Sequence, residues 1–328
     1  MSTTIEGLIE QAYERLKELD EVSALHLLHE ALKIDFEHPE VKYSLKCINW
    51  WLDRIKRLDE FHEPYEKGGY IISQWKLFYV FLEQIGEKGS AMSGEKISGF
   101  EMPFDTCQYV VKHYVYTLAL NFLEDALAAT GNNPDPEIML QIGRCYKGRG
   151  NYEEAAKYLE QAVQSRQEDS GALAELADVN ALLGDPRAAK VLFREAFYLD
   201  PQAIDLKAMD SEMMIRLIQK VAGLGYTGRE LAEWIPVYGA IWGVFSVQRE
   251  LKPVELGKLK QSILALESES GNKPNDMLKP RLLNRYFRLI EHCGVFRGRN
   301  TGDNSDLVEE TMRKIKFIDP AIYEQYRN

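Results

Sequence analysis

At 328 residues, with 45 % hydrophobic and 28 % charged side chains, the chain is long enough for two globular domains or one elongated helical array, and its make-up is that of an ordinary soluble protein. A formal net charge of −11 argues against a surface that grips nucleic acid or anionic lipid throughout, while leaving room for a local basic patch. The four cysteines, Cys47, Cys107, Cys145 and Cys293, are scattered without a C-x-x-C pair, which excludes a disulfide framework or a zinc ribbon and predicts a reducing, cytoplasmic setting.

Met1 to Asp20 alternates acidic and apolar residues at helical spacing and has neither a basic n-region nor an apolar h-region, so it does not read as a secretory signal. Within it begins a helical hairpin over Ile5 to Ile34: Leu8, Ala12 and Leu16 on one helix, a turn near Asp20, then Ala24, Leu28 and Ala31 on a second. His26 and His29 lie one turn apart, but no third ligand stands at a recognisable spacing, and no metal is expected there. Helices follow from about Pro39 to Leu58 and from about Tyr70 to Ile85. The latter is apolar nearly all round and is expected to be buried on more than one side with help from Trp50 and Trp51.

Residues 86–103 hold four glycines and three serines and predict a mobile loop that a partner could order. Its stretch Gly89 to Lys96 superficially resembles a phosphate loop. Glu95 interrupts the Gly-Lys pair, no Ser or Thr follows the Lys, and a helix precedes where that motif needs a strand. From Asp105 to about Thr130 the apolar positions mark one long helix, ended by the turn signal Gly131 to Pro136.

From Pro136 to Ala203 one 34-residue pattern occurs twice without a gap. Ile142, Gly143, Tyr146, Ala155, Leu159 and Ala162 in the first copy correspond to Leu176, Ala177, Asn180, Ala189, Phe193 and Ala196 in the second. Each copy places a glycine, Gly150 or Gly184, where a left-handed residue ends the first helix. Asn151 or Asp185 then caps the second helix, with Glu154 completing a capping box and Pro186 in a first-turn position. The small residues at 143/177, 155/189 and 162/196 mark where two antiparallel helices approach.

On these residues the stretch resembles the tetratricopeptide repeat family, whose signature is W-x2-L-G-x2-Y, then A-x3-F, then P. The first copy keeps Gly143 and Tyr146 with Met139 in the Trp slot; the second keeps Ala189, Phe193 and Pro201. The resemblance implies an all-α fold, a right-handed superhelix of antiparallel helix pairs with irregular flanking helices. It divides the chain into divergent hairpins at 1–134, two clear repeats at 135–203 and a helical region at 204–328. It also implies a non-catalytic adaptor or scaffold that holds a partner protein in a groove lined by the first helices of the repeats. The corresponding contact positions are Glu137, Leu140, Arg144 and Lys147, then Gly171, Ala174, Asp178 and Ala181. Members that clamp a chaperone's terminal carboxylate carry Lys and Asn at inner positions where this chain has Leu140, Arg144, Ala174 and Asp178, so that clamp is not reproduced.

Beyond Pro201, helices are predicted at about Ser211 to Ala222, Pro253 to Leu266, Met277 to Cys293 and Asp306 to Ile315. Thr227-x-x-Glu230 forms a capping box ahead of an apolar run, Trp234 to Phe245. Twelve residues are too few to span a bilayer, and Pro236 would kink a continuous helix. Gly239 and Gly243 permit another helix to approach, leaving three readings: buried core, a docking surface for a partner or a second copy of the chain, and a membrane-associating segment. Lys279 to Arg299 sets six basic residues against Glu291. Arg281, Arg285 and Arg288 share a helix face that either pairs with the protein's own carboxylates or meets an acidic partner. A second candidate surface is therefore Trp234, Tyr238, Trp242, Arg281, Arg285 and Arg288. Two alternatives to the adaptor stand beside it, a nucleic-acid-linked regulator using these arginines and a self-assembling scaffold. No nucleophile elbow, dinucleotide fingerprint or metal-ligand pair is present, so the sequence predicts no catalytic residues, no metal and no cofactor.

Overall fold

The computed structural model describes residues 4–93, 103–131, 134–246, 250–272, 277–294 and 302–327. Among the described residues there are fifteen α-helices and no strand, so the fold is all-α. The chain forms two compact units, residues 1–162 and 163–328.

The first unit opens with α1 (Ile5–Lys17) and α2 (Glu21–Ile34). Leu19 between them takes the left-handed conformation, φ 63°, and the amide of Asp20 returns to the carbonyl of Arg15 at 2.9 Å. The Asp20 side chain then caps α2 by accepting from the Ser23 amide. α3 (Pro39–Ile55) ends sooner than its apolar pattern suggests, in a 3-10 turn over Lys56–Glu60. α4 (Pro64–Ser93) is longer at both ends than the segment around Tyr70 to Ile85, and takes in the first eight residues of the expected Gly/Ser-rich loop. The remainder of that loop, residues 94–102, lies outside the described residues. α5 (Pro103–Ala129) is the expected long helix.

Trp51 is almost fully enclosed between Trp75 and Phe78, with ring centroids 5.8 and 5.4 Å away, and Trp50 stacks on Phe81 at 5.7 Å. The two tryptophans thus cover α4 as expected, although Leu77 and Val80 on its far side stay exposed. Gly68 lets α4 lie directly on α5, since a Cβ there would fall 2.6 Å from Leu123 Cγ. α6 (Pro136–Gly148) and most of α7 (Tyr152–Ser165) complete this unit.

The second unit holds α8 (Ser170–Leu182), α9 (Pro186–Leu199), α10 (Glu212–Ala222), α11 (Gly228–Ile241), α12 (Pro253–Asn272), α13 (Leu278–Gly294), α14 (Gly302–Ile318) and α15 (Pro320–Arg327). Two short 3-10 turns, Pro201–Ala203 and Leu206–Ala208, link α9 to α10. Its core is built on Phe193, Phe197, Phe245 and Phe287, each with essentially no exposed surface. Burial on this scale supplies the main favourable term, at roughly 1.5–3 kcal/mol per large apolar side chain. All four cysteines are buried and free.

Candidate functional site

In both 34-residue copies the first helix ends at the expected glycine, while Glu154, expected in a capping box, accepts from Lys157 at 2.5 Å. Gly150 and Gly184 take φ of 82° and 83°. In each copy the following amide reaches back five residues, Asn151 to the carbonyl of Tyr146 and Asp185 to that of Asn180, both at 2.9 Å. These bonds satisfy carbonyls that the helix end leaves open. The Asp185 side chain accepts from the amides of Arg187 and Ala188 and so caps α9. Within the first copy a Cβ on Gly143 would meet Leu159 Cγ at 2.6 Å, which fixes glycine at the helix contact. Within the second, Ser170 Oγ donates to the Ala196 carbonyl at 2.8 Å and accepts from the Asp200 amide at 3.0 Å, tying the start of α8 to the end of α9.

The contact positions implied by the repeat pattern divide into two sets. On α6, Glu137 and Arg144 are half-buried, while Leu140 and Lys147 are each only 5 % exposed. Glu137 accepts from Gln141 Nε2 at 2.9 Å. On α8, Gly171 and Ala181 are half-buried, and Ala174 and Asp178 have no exposed surface. The Asp178 carboxylate takes two backbone amides of its own unit, Asp210 N–H at 2.7 Å and Ser211 N–H at 3.0 Å. Ser211 precedes α10 and makes no side-chain cap bond, so Asp178 anchors the start of that helix from outside it. Nothing in the local pattern around Asp178 announces this use.

The second candidate surface is mostly interior to its unit. Trp234 and Tyr238 are 4 % and 7 % exposed, and Trp242 is half-exposed under the Lys220 ammonium, 4.3 Å from its ring. Tyr226 stacks on Trp234 at 4.8 Å, and Tyr238 meets Trp242 at 4.9 Å. Gly239 gives room to the Phe245 ring of its own chain, and Gly243, φ 71°, lets the Phe245 amide close onto the Gly239 carbonyl at 2.9 Å. Trp234 to Ala240 and Phe245 are thus core of the second unit, with residues 241–244 partly exposed. α11 runs through Pro236 as one helix, and Thr227, read as its cap, makes no side-chain cap bond.

The arginines of α13 point at carboxylates and at a ring. Arg281 Nε donates to Glu233 at 2.9 Å, and Arg288 Nη2 to Glu195 at 2.6 Å. Arg285 lies over the Tyr198 ring, 4.1 Å from its centroid. Alongside, Arg194 donates to both Glu291, at 2.8 Å, and Asn284, at 2.8 Å. The Glu233 hydrogen bond raises the Arg281 pKa, while burial pushes the Arg285 guanidinium down to about 10 and the Glu291 carboxyl above its ordinary range. Charge that a basic helix could offer to a partner is therefore largely spent inside the unit.

Among the described residues no group of three or more His, Cys, Asp or Glu side chains is placed to hold a metal ion, and no helix is long and apolar enough to cross a membrane. His29 Nδ1 is instead 2.8 Å from the Leu25 carbonyl. Compared with known families, residues 116–177 match the model described as Tetratricopeptide repeat, a stretch that takes in the second half of α5, all of α6 and α7 and most of α8. No curated protein matches the chain.

Proposed function

We propose that this chain, which carries a tetratricopeptide repeat at residues 116–177, is a non-catalytic adaptor or scaffold that recognises a segment of another protein through its repeat helices. The family match carries this reading, since these repeats typically bind proteins and are generally non-catalytic. Within the set Glu137, Leu140, Arg144, Lys147, Ala174, Asp178 and Ala181, recognition centres on the half-exposed Glu137 and Arg144, whose opposite charges suit a segment bearing both signs. Leu140, Lys147, Ala174 and Asp178 are buried, each within its own unit.

The test is charge reversal at the two half-exposed positions in the full chain, Glu137→Lys with Arg144→Glu. Affinity capture from the native cell, quantified by mass spectrometry, should lose specific partners while the circular dichroism melt stays at the parent temperature. An unchanged set of captured proteins refutes the assignment. Asp178 is left intact, because its carboxylate is bound to the protein's own backbone and its loss would test folding. The nucleic-acid alternative gains no support from Arg281 and Arg288, each already paired with a carboxylate, and the self-assembly alternative gains none from Trp234 and Tyr238, which are core.

A further inference from the structure

Around α13 the cations and carboxylates nearly balance, with one exception. Arg194 is closed by Glu291, Arg281 by Glu233 and Arg288 by Glu195. Among the described residues no carboxylate closes on Arg285, and its Nε is buried without a hydrogen-bond partner. Its contact is the face of Tyr198, a ring that also carries Arg288 at 3.9 Å, so two guanidinium groups share one aromatic surface. A half-buried guanidinium with a buried, unpartnered Nε is costly to the fold, and a methionine of comparable reach would remove that cost.

Arg285 lines a pocket of about 570 Å³ that lies wholly within the second unit. That volume falls in the range that accepts a small organic molecule. Arg281, Arg229, Asn284 and Ser262 share the wall, with apolar surface from Leu199 and Leu266. The one acidic group in the wall, Asp200, accepts from the Gln202 amide at 3.0 Å. The rim is already ordered: Glu233 accepts from both Arg281 and Gln202, and Gln202 in turn accepts from Arg229 Nε at 3.3 Å. The result is a preformed pocket with an apolar side, polar amide and hydroxyl groups, and a cation in no direct ion pair, since Glu233, which acts on it from a distance, is already bound to Arg281.

We propose that this pocket binds a small organic anion, a carboxylate or a phosphate monoester on an apolar body, with Arg285 as the anchoring charge and Arg229 at the mouth. Planar guanidinium donors match either oxyanion, and the apolar wall takes the rest of the ligand. The site is independent of the repeat-helix reading, since it uses none of the positions altered in the capture experiment.

The test is calorimetric titration of the full chain at fixed ionic strength with phenyl phosphate, benzoate and neutral benzamide, joined by thermal melts. Either anion should bind saturably and raise the melting temperature, with benzamide about tenfold weaker or worse. A response to phenyl phosphate alone assigns phosphate as the head group, and to benzoate alone a carboxylate. Arg285→Met should abolish binding yet melt no lower than the parent without ligand, a combination that a purely structural arginine would not give. Arg229→Gln should weaken binding at an unchanged melting temperature, and decides the matter where Arg285→Met does not fold. The proposal is overturned if neither anion binds the parent, if benzamide binds as well as the anions, or if the foldable variants respond as the parent does.

Discussion

Replacing Asp178 should separate the part of α8 that folds the protein from any part that meets a partner. Its two carboxylate oxygens take different amides, Oδ2 that of Asp210 and Oδ1 that of Ser211, and the residue has no exposed surface. Hydrogen bonds to a charged acceptor contribute roughly 1.5–3 kcal/mol each, and removing the acceptor leaves two buried N–H groups without a partner. Asp178→Ala should therefore cost about 4 kcal/mol. Asp178→Asn keeps one acceptor oxygen and turns an NH2 group towards the other amide, for about 2 kcal/mol. With a urea slope of about 2 kcal/mol/M for a unit of this size, the midpoint should fall by about 2 M for alanine and about 1 M for asparagine. Hydrogen exchange at Asp210 and Ser211 should accelerate in both variants. An alanine variant whose midpoint stays within about 0.2 M of the parent would refute the anchoring role.

Other outcomes follow from the same geometry. Gly184→Ala and Gly150→Ala should each destabilise by about 1 kcal/mol in thermal melts; no atom crowds the new methyl, so the cost is the left-handed backbone alone. Gly257→Ala, equally uncrowded but inside α12, should stabilise by about 0.5–1 kcal/mol, and a reversal of either sign would undo the assignment. Burial lowers the pKa of His292 below its ordinary 6.5, and its Nδ1 accepts the Leu251 amide at 3.0 Å, so the folded state favours the neutral ring. That contribution is present above pH 6.5 and is lost as the pH drops through the lowered folded value. His113, also lowered chiefly by burial, acts in the same direction in the first unit. Denaturant titrations between pH 7 and pH 5 should show the decline, and His292→Gln should flatten the second unit's share.

What could be read from the sequence was what neighbours in the chain decide among themselves. Gly150 with Asn151 and Gly184 with Asp185 announced helix ends because a left-handed residue and the amide after it close a bond within six residues. Repeated small residues at 143/177 and 155/189 announced helix pairing for the same reason of spacing. Asp178 was illegible in its role because its partners lie 32 and 33 residues on. The spacing of Arg281, Arg285 and Arg288 placed them on one face, but the carboxylates that meet two of them come from 48 and 93 residues away, so only the fold could show which one stays outside a direct ion pair. The apolar run at Trp234 was visible as apolar and undecided as core or surface, because Tyr226, which stacks on Trp234, and Phe193 and Phe197, which meet Phe245, carry no sign of their destination. Thr227 and Glu230 matched a capping pattern, yet α11 begins without that side-chain bond, which shows that the residue types permit the cap and do not compel it.

The second copy also explains why recognition should fall on α6. Residues 172–179 of α8 are buried without interruption, which is more than two turns and so closes every side of the helix to solvent. Such a helix keeps polar groups only where something satisfies them. Asp178 is satisfied by two successive amides of the segment leading into α10, the kind of backbone contact that an acidic residue in a binding groove makes with an extended peptide. Here the protein's own chain supplies those amides, and the neighbouring Met209 adds its side chain to the same core. A partner would have to displace that segment to reach Asp178, at the cost of two charge-assisted hydrogen bonds and a buried methionine. Glu137 and Arg144 are half-exposed on a helix whose opposite face is already packed, so a partner can reach them without opening the second unit. Charge reversal on α6 should therefore change which proteins are bound, and substitution at Asp178 should change whether the second unit stays folded.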